Sequence, residues 1–183
     1  MKSYIVKDLM VPLSEYATVH DDATLYEAVL SLEKAQTEFD HSRYRHRAIL
    51  VLDKRNKVVG KISQLDVLKS LEPKYNEMLT GHGLHNFGFS HKFMKSILED
   101  YQLFANPIKD ICQKAGMQDV KNFMVTPTEG EYVAATATLD MAIHQLIIGN
   151  HQSLLVTEGS DIIGILRLTD VFAAVYDAMR ECC

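Results

Sequence analysis

The chain predicts an α+β fold: two β-α-β-β-α units paired about a pseudo-twofold axis, with a helical insertion between them. Three observations carry that expectation. Residues 6–28 read VKDLMVPLSEYATVHDDATLYEA and residues 120–142 read VKNFMVTPTEGEYVAATATLDMA, with ten of 23 positions identical at a constant offset of 114. A self-match of this length marks two copies of one small unit. The echo then resumes at an offset of 104: Val58-Val59-Gly60 returns as Ile162-Ile163-Gly164, and Leu65-Asp66-Val67 as Thr169-Asp170-Val171. Between the echoes, each copy runs through the same order of apolar periodicities and turn residues.

Each unit opens on a short extended piece, residues 17–20 in copy one and 132–135 in copy two. A helix follows, with Leu25, Ala28, Val29 and Leu32 on one face of the first, and Leu139, Ala142, Ile143, Leu146 and Ile147 on one face of the second. Two five-residue apolar runs come next, 48–52 and 58–62, split by Asp53-Lys54-Arg55-Asn56-Lys57. Their counterparts, 153–157 and 162–166, are split by Glu158-Gly159-Ser160-Asp161. Short β-branched runs bounded by turn residues read as hairpins. A closing helix begins near Leu65 and near Thr169. One such unit is about 55–65 residues, too small to be comfortable alone, and pairing two sheets buries the faces each leaves open.

Two features break the repeat. Copy one carries extra residues before its hairpin, in the stretch 39–47, which includes Arg43, Arg45 and Arg47. A long segment then joins the copies. Residues 80–90 hold three Gly and two His and read as a loop. Residues 91–104 read as an amphipathic helix with Phe93, Ile97, Tyr101 and Phe104 on one stripe. Pro107 opens a further short helix holding Ile108, Ile111 and Cys112. The expected division is a first unit over 1–72, a helical connector over 73–117 and a second unit over 118–183.

Composition narrows the function classes. The 183 residues are 47% hydrophobic and 23% charged, with a net charge of −5, which disfavours a general nucleic-acid surface. No apolar stretch is long enough for a membrane span, and the first ten residues lack the apolar core of a signal peptide. Three cysteines, Cys112, Cys182 and Cys183, give neither a disulfide framework nor a zinc spacing, so a cytoplasmic setting is expected. His82, His85 and His91 match no tight metal-ligand spacing, and no metal site is expected there. No nucleophile elbow, Walker loop, zinc-hydrolase helix or dinucleotide glycine run is present, so the expectation is a protein that is not an enzyme and needs no cofactor.

The chemistry concentrates where each hairpin runs into its closing helix: Gly60-Lys61-Ile62-Ser63-Gln64-Leu65-Asp66, and Gly164-Ile165-Leu166-Arg167-Leu168-Thr169-Asp170. A strand ending at a helix N-terminus presents unpaired N–H groups that suit a phosphate. A carboxylate one turn in can accept two neighbouring hydroxyls, as on a ribose. The plainer alternative is a helix cap, since Ser-x-x-Asp is close to a capping box worth ~1 kcal/mol. Arg43, Arg45 and Arg47 alternate, so an extended backbone sets them on one face beside the Ser63/Asp66 cleft, where Arg forks match phosphate oxygens.

The duplicated Val-Lys-Asp-Leu-Met and Val-Lys-Asn-Phe-Met, the two Ala-Thr-Leu triplets and the two Gly-to-Asp segments resemble paired CBS domains, the Bateman module of the cystathionine β-synthase domain family. The resemblance covers both copies. It implies a regulatory sensor of an adenosine-containing ligand (AMP, ADP or ATP) with two quasi-symmetric clefts. It assigns the ribose hydroxyls to Asp66 and Asp170, and the adjoining Thr/Ser position to Ser63. Copy two departs there with Arg167, which either reaches a phosphate or fills the cleft. Arg47, Ala48, Gln152 and Ser153 line the clefts ahead of the hairpins in such a module. The first strand of the opposite copy supplies the base pocket, which places Thr18 and His20 opposite Asp170, and Tyr132 and Ala134 opposite Asp66. The resemblance and the leftover apolar helix surface imply a homodimer, and a protein target of unspecified identity. The alternative is an interaction or dimerisation module with empty clefts, working through the 91–104 helix.

Overall fold

In the computed structural model the described residues are 4–38, 44–75 and 90–182, with side chains described for all of these except 91–94. The chain begins with a one-turn helix α1 (Val6–Leu9) and a two-residue strand β1 (Val11–Pro12), together the leader of copy one. Copy one continues with β2 (Thr18–His20), α2 (Leu25–Glu38), β3 (Ala48–Leu52), β4 (Val58–Ser63) and α3 (Gln64–Ser70). Helices α4 (His91–Asp100) and α5 (Ile108–Gly116) form the connector. Copy two has β5 (Tyr132–Ala134), α6 (Leu139–Ile148), β6 (Ser153–Glu158), β7 (Asp161–Arg167) and α7 (Leu168–Cys182). The β-α-β-β-α order appears twice, as the repeat predicts.

Local chemistry starts and stops these elements. Thr24 N and Oγ1 donate to Glu27 Oε2 at 2.7 and 2.9 Å, and Glu27 N donates back to Thr24 Oγ1, a capping box that starts α2. Leu25, Ala28 and Leu32 then fall on its buried stripe. The hairpin turns rely on left-handed residues, Asn56 at φ 58° and Gly159 at φ 63°. The amphipathic helix predicted for 91–104 stops at Asp100. Gln102 and Phe104 both adopt left-handed φ, and Lys74 Nζ caps the carbonyls of Tyr101 and Gln102 at 2.8 and 3.3 Å.

In both sheets the first strand of a unit runs parallel to the second, and the hairpin is antiparallel. The two copies exchange their leaders. Val6 N donates to Ala137 O and, in the equivalent bond, Val120 N donates to Ala23 O, both at 2.9 Å. β1 pairs with β7 through Val11 and Ile165, and Val125 pairs with Lys61 on β4 at the matching place. Val6 is fully buried among Val133, Ala142, Leu146, Leu154 and Leu166 of copy two. Val120 is fully buried among Leu25, Ala28, Ile49, Val51 and Ile62 of copy one. Burying such a valine contributes ~1.5–3 kcal/mol, so each core holds the other copy in place. A third cluster, Val11, Tyr16, Leu50, Leu155 and Ile165, joins the two sheets.

The exchange accounts for two of the repeated residue types. A Cβ on Gly60 would sit 2.6 Å from Met124 Sδ, and one on Gly164 would sit 3.0 Å from Met10 Sδ and 2.5 Å from Val11 O. Each glycine is the floor on which the other copy's leader lies. Among the described residues, no helix is long and apolar enough to cross a membrane.

Candidate functional site

Ser63 ends β4 and caps α3, which puts Asp66 one turn into the helix. Asp66 Oδ2 accepts from Ser63 N at 2.9 Å and Ser63 Oγ at 2.6 Å, while Asp66 N donates to Ser63 Oγ at 3.2 Å. The capping box foreseen as the plainer alternative is therefore present. It occupies one carboxylate oxygen. The other, Oδ1, has Lys69 Nζ at 3.8 Å, an approach too long for a hydrogen bond. Ala48 pairs with Ser63 across the hairpin, and Gln64 N donates to Arg47 O at 3.0 Å, so the backbone before β3 lies at the mouth of α3. The side chains of Arg45 and Arg47 are exposed.

The equivalent corner of copy two is built differently. Asp170 Oδ2 accepts from Arg167 Nε at 2.6 Å and Oδ1 from an Arg167 terminal nitrogen at 2.5 Å, a bidentate fork that engages both carboxylate oxygens. The other terminal nitrogen of Arg167 donates to Tyr44 O at 2.6 Å and lies 3.3 Å from His46 Nδ1. A guanidinium has no acceptor, so this contact requires a lone pair on His46 Nδ1, which places the ring proton on Nε2. Tyr16 packs edge-on against His46 with ring centroids 4.4 Å apart. Burial pushes the Tyr16 phenol up to about 12, against the lowering pull of the Arg167 charge. Arg167 is 4% exposed and His46 fully buried. Removing one member of such a buried ionic pair costs ~3–5 kcal/mol.

The repeat register states the asymmetry residue by residue. Arg167 corresponds to Ser63, and Tyr16 corresponds to Gly130 at the 114 offset. At the positions matching Arg167 and Tyr16 the repeat carries a hydroxymethyl group and a glycine, and His151 Nε2 lies 3.6 Å from where a Cβ on that glycine would stand. A hollow of about 290 Å³ remains beside Asp170, lined by Tyr4, Asp8, Leu9 and Tyr44 from copy one and by Ala173, Ala174 and Asp177 from α7. Among the described residues, three carboxylates and no basic residue line it.

Gln152 and Ser153 stand at the start of β6 as Arg47 and Ala48 stand at the start of β3. Ser153 pairs with Arg167, and Leu168 N donates to Gln152 O at 2.9 Å. Thr18 is half-buried with its carbonyl accepting from Ser31 Oγ, and His20 is exposed. Neither lines the hollow at Asp170, whose copy-one wall is the exchanged leader and Tyr44. Tyr132 and Ala134 are exposed on β5, and Tyr132 O accepts from Gln145 Nε2 at 2.8 Å. Arg43, His82 and His85, and the His91 side chain, lie outside the described residues.

Two groups of residues went unread in the sequence. Glu131, just ahead of β5, is buried and accepts from Lys61 Nζ of β4, an ion pair that crosses between the copies on the Asp66 side. Burial pushes the Glu131 carboxyl up, but the Lys61 hydrogen bond, the Thr128 N–H and the Lys61 charge together hold it below the usual glutamate range. The equivalent positions are the buried, apolar Ala17 and Ile165. The second group is Tyr16, His46 and Tyr44 around Arg167. Alternation through 44–48 carried its signal, since the phase that turns Arg45 and Arg47 outward turns His46 and Ala48 inward.

The family model of the CBS domain matches residues 6–73 and 120–177. Solved structures share the fold. A CBS domain-containing protein of unknown function from Bacillus anthracis is 19% identical, with 95% of this chain and 94% of that chain covered at a TM-score of 0.61. CBSX2 from Arabidopsis thaliana is 18% identical, with 98% and 99% covered at 0.59. CBSX2 in complex with AMP aligns over 95% of this chain and 97% of that one, at 18% identity and a TM-score of 0.59. At these identities the likeness speaks for the fold. No curated protein matches the sequence. Both halves of the repeat match one family, and together they cover well over half of its length: the chain belongs to the CBS-domain family.

Proposed function

We propose that the chain is a non-catalytic regulatory module that senses an adenosine-containing ligand, AMP, ADP or ATP, between its two repeats. The observation that carries this reading is Asp66, whose Oδ2 closes the cap while Oδ1 makes no hydrogen bond among the described residues. That oxygen is an acceptor for ribose hydroxyls. Ser63, Arg47 and Ala48 flank it, and Tyr132 and Ala134 are the base-pocket candidates from the opposite copy. The AMP complex of CBSX2 supports the ligand class. The nucleotide serves as a regulatory ligand, and no cofactor is invoked. Ligand binding between repeats tied by exchanged leaders shifts their relative closure, provided the closed state binds more tightly.

The transmitted change is read by a second copy and through it by a protein target. Leu168, Phe172, Tyr176 and Met179 recur along one face of α7, and Met141, Ile147 and Ile148 are exposed on the neighbouring α6. Such a face fits a homodimer interface. A monomer by size-exclusion chromatography with light scattering would count against it. A cytoplasmic setting is proposed from the exposed thiols Cys112 and Cys182. Arg167 favours the alternative of an interaction module with an empty cleft, for the Asp170 half alone.

A thermal-shift screen of adenine nucleotides tests the sensor. Ligand at 100 times its Kd adds ~2.7 kcal/mol and raises the melting temperature. No shift with AMP, ADP, ATP or adenosine at millimolar concentration would sink the reading.

A further inference from the structure

We propose that Arg167 is the built-in occupant of the Asp170 cleft, so that the chain takes one nucleotide where its repeat offers two places. The inference rests on the adenosine-ligand reading for what the open cleft binds, but the latch itself stands on geometry. The Arg167 fork takes both Asp170 oxygens, at 2.6 and 2.5 Å, which are the acceptors a ribose diol would need. A third bond, to Tyr44 O at 2.6 Å, anchors the guanidinium to copy one, and His46 and Tyr16 close over it. The opposite corner has neither bulky group, because Ser63 and Gly130 stand at the positions of Arg167 and Tyr16.

Charge points the same way. The hollow that remains beside Asp170 is bounded by Asp8, Asp170 and Asp177, with no basic group among the described residues of its lining. A phosphate there meets like charge, and the Arg167 guanidinium is already held by Asp170. A ligand displacing the fork must break a buried ion pair, a penalty of roughly a hundredfold or more in affinity. Arg167 is therefore a specificity-determining residue. It restricts adenosine-ligand binding to the Asp66 cleft and ties the pre-hairpin stretch of copy one to the closing helix of copy two.

The test titrates AMP and adenosine against the wild type, Asp66→Ala, Arg167→Thr and the double variant, with circular dichroism and size-exclusion as folding checks. Adenosine is included because it carries the diol without the phosphate that the acidic hollow repels. The expected result is one AMP per wild-type chain, weakened at least ~10-fold in Asp66→Ala, and a new adenosine site in Arg167→Thr that persists in the double variant. Two AMP per wild-type chain, an unchanged adenosine stoichiometry in folded Arg167→Thr, or loss of wild-type AMP binding in Arg167→Thr would each overturn the latch. If the wild type binds nothing while Arg167→Thr gains adenosine, the latch stands and the reading of the Asp66 cleft fails. Where Arg167→Thr does not fold, the nitrogen-15 signal of Arg167 Nε–H in the wild type decides. It should stay protected and unmoved under saturating AMP; a shift or faster exchange with ligand makes Arg167 a ligand contact and overturns the proposal.

Discussion

The two closing corners of the repeat share an aspartate and little else. At Asp66 the carboxylate serves a helix cap through one oxygen, and the other makes no hydrogen bond among the described residues. At Asp170 an arginine holds both oxygens, under a tyrosine and a histidine. A duplicated backbone does not entail duplicated chemistry. Leader exchange, hairpin register and glycine floors are symmetric to the residue, whereas the side chains facing the clefts are not.

The largest expected effect separates the corners by stability. Asp170→Ala leaves Arg167 buried without its partner and should cost ~3–5 kcal/mol, while Asp66→Ala removes a cap and should cost ~1 kcal/mol. Equal losses in urea denaturation would break the comparison. The Lys61–Glu131 pair on the Asp66 side gives the next contrast. Lys61→Met strands the buried Glu131 carboxylate and should lose ~3 kcal/mol. Combining Lys61→Ile with Glu131→Ala copies the apolar pair found at Ile165 and Ala17, and should recover most of that loss. No recovery in the double variant would show that the ion pair does more than balance its own burial.

A smaller contrast lies in the glycine floors. Gly164→Ala drives a methyl into Val11 O, a backbone atom, and should destabilise by ~1–3 kcal/mol. Gly60→Ala meets the Met124 thioether, which can swing aside, and should cost less. The reverse order would contradict the backbone contact on the Asp170 side.

The smallest contrast is in pH. Glu131 has a depressed carboxyl, so its contribution is present above the ordinary value of 4.5 and is lost as pH falls through the lower folded value. Tyr16 has a raised phenol, so its contribution is present below 10.0 and is lost as pH rises from there through about 12. Glu131→Gln should flatten the acid limb of a stability–pH curve, and Tyr16→Phe the alkaline limb. A curve unchanged by either substitution would detach these groups from the two corners.

Much of this was legible in the sequence for a physical reason. Period-two runs bounded by Asp53 to Lys57 and by Glu158 to Asp161 declare hairpins, and the offset match declares two copies. Leader exchange was not legible as such, because an echo says nothing about which copy a segment packs on. Its trace was present in the paired repetition of Met10 with Met124 and Gly60 with Gly164, which only the contact between them explains. Ser63 with Asp66 could be read as either cap or ligand group, and the cap is there. Arg167 was visible as a departure from the repeat. Whether it reached outward or folded back depended on where Tyr44 and His46 lie, which the repeat does not say.

The inequality of the two corners shows in the stoichiometry of AMP binding, measured by isothermal titration of the wild type against Asp66→Ala and Asp170→Ala. One equivalent per chain, weakened at least ~10-fold by Asp66→Ala and retained in folded Asp170→Ala, is the predicted result. Two equivalents per chain, or binding that survives Asp66→Ala and disappears in folded Asp170→Ala, would contradict it.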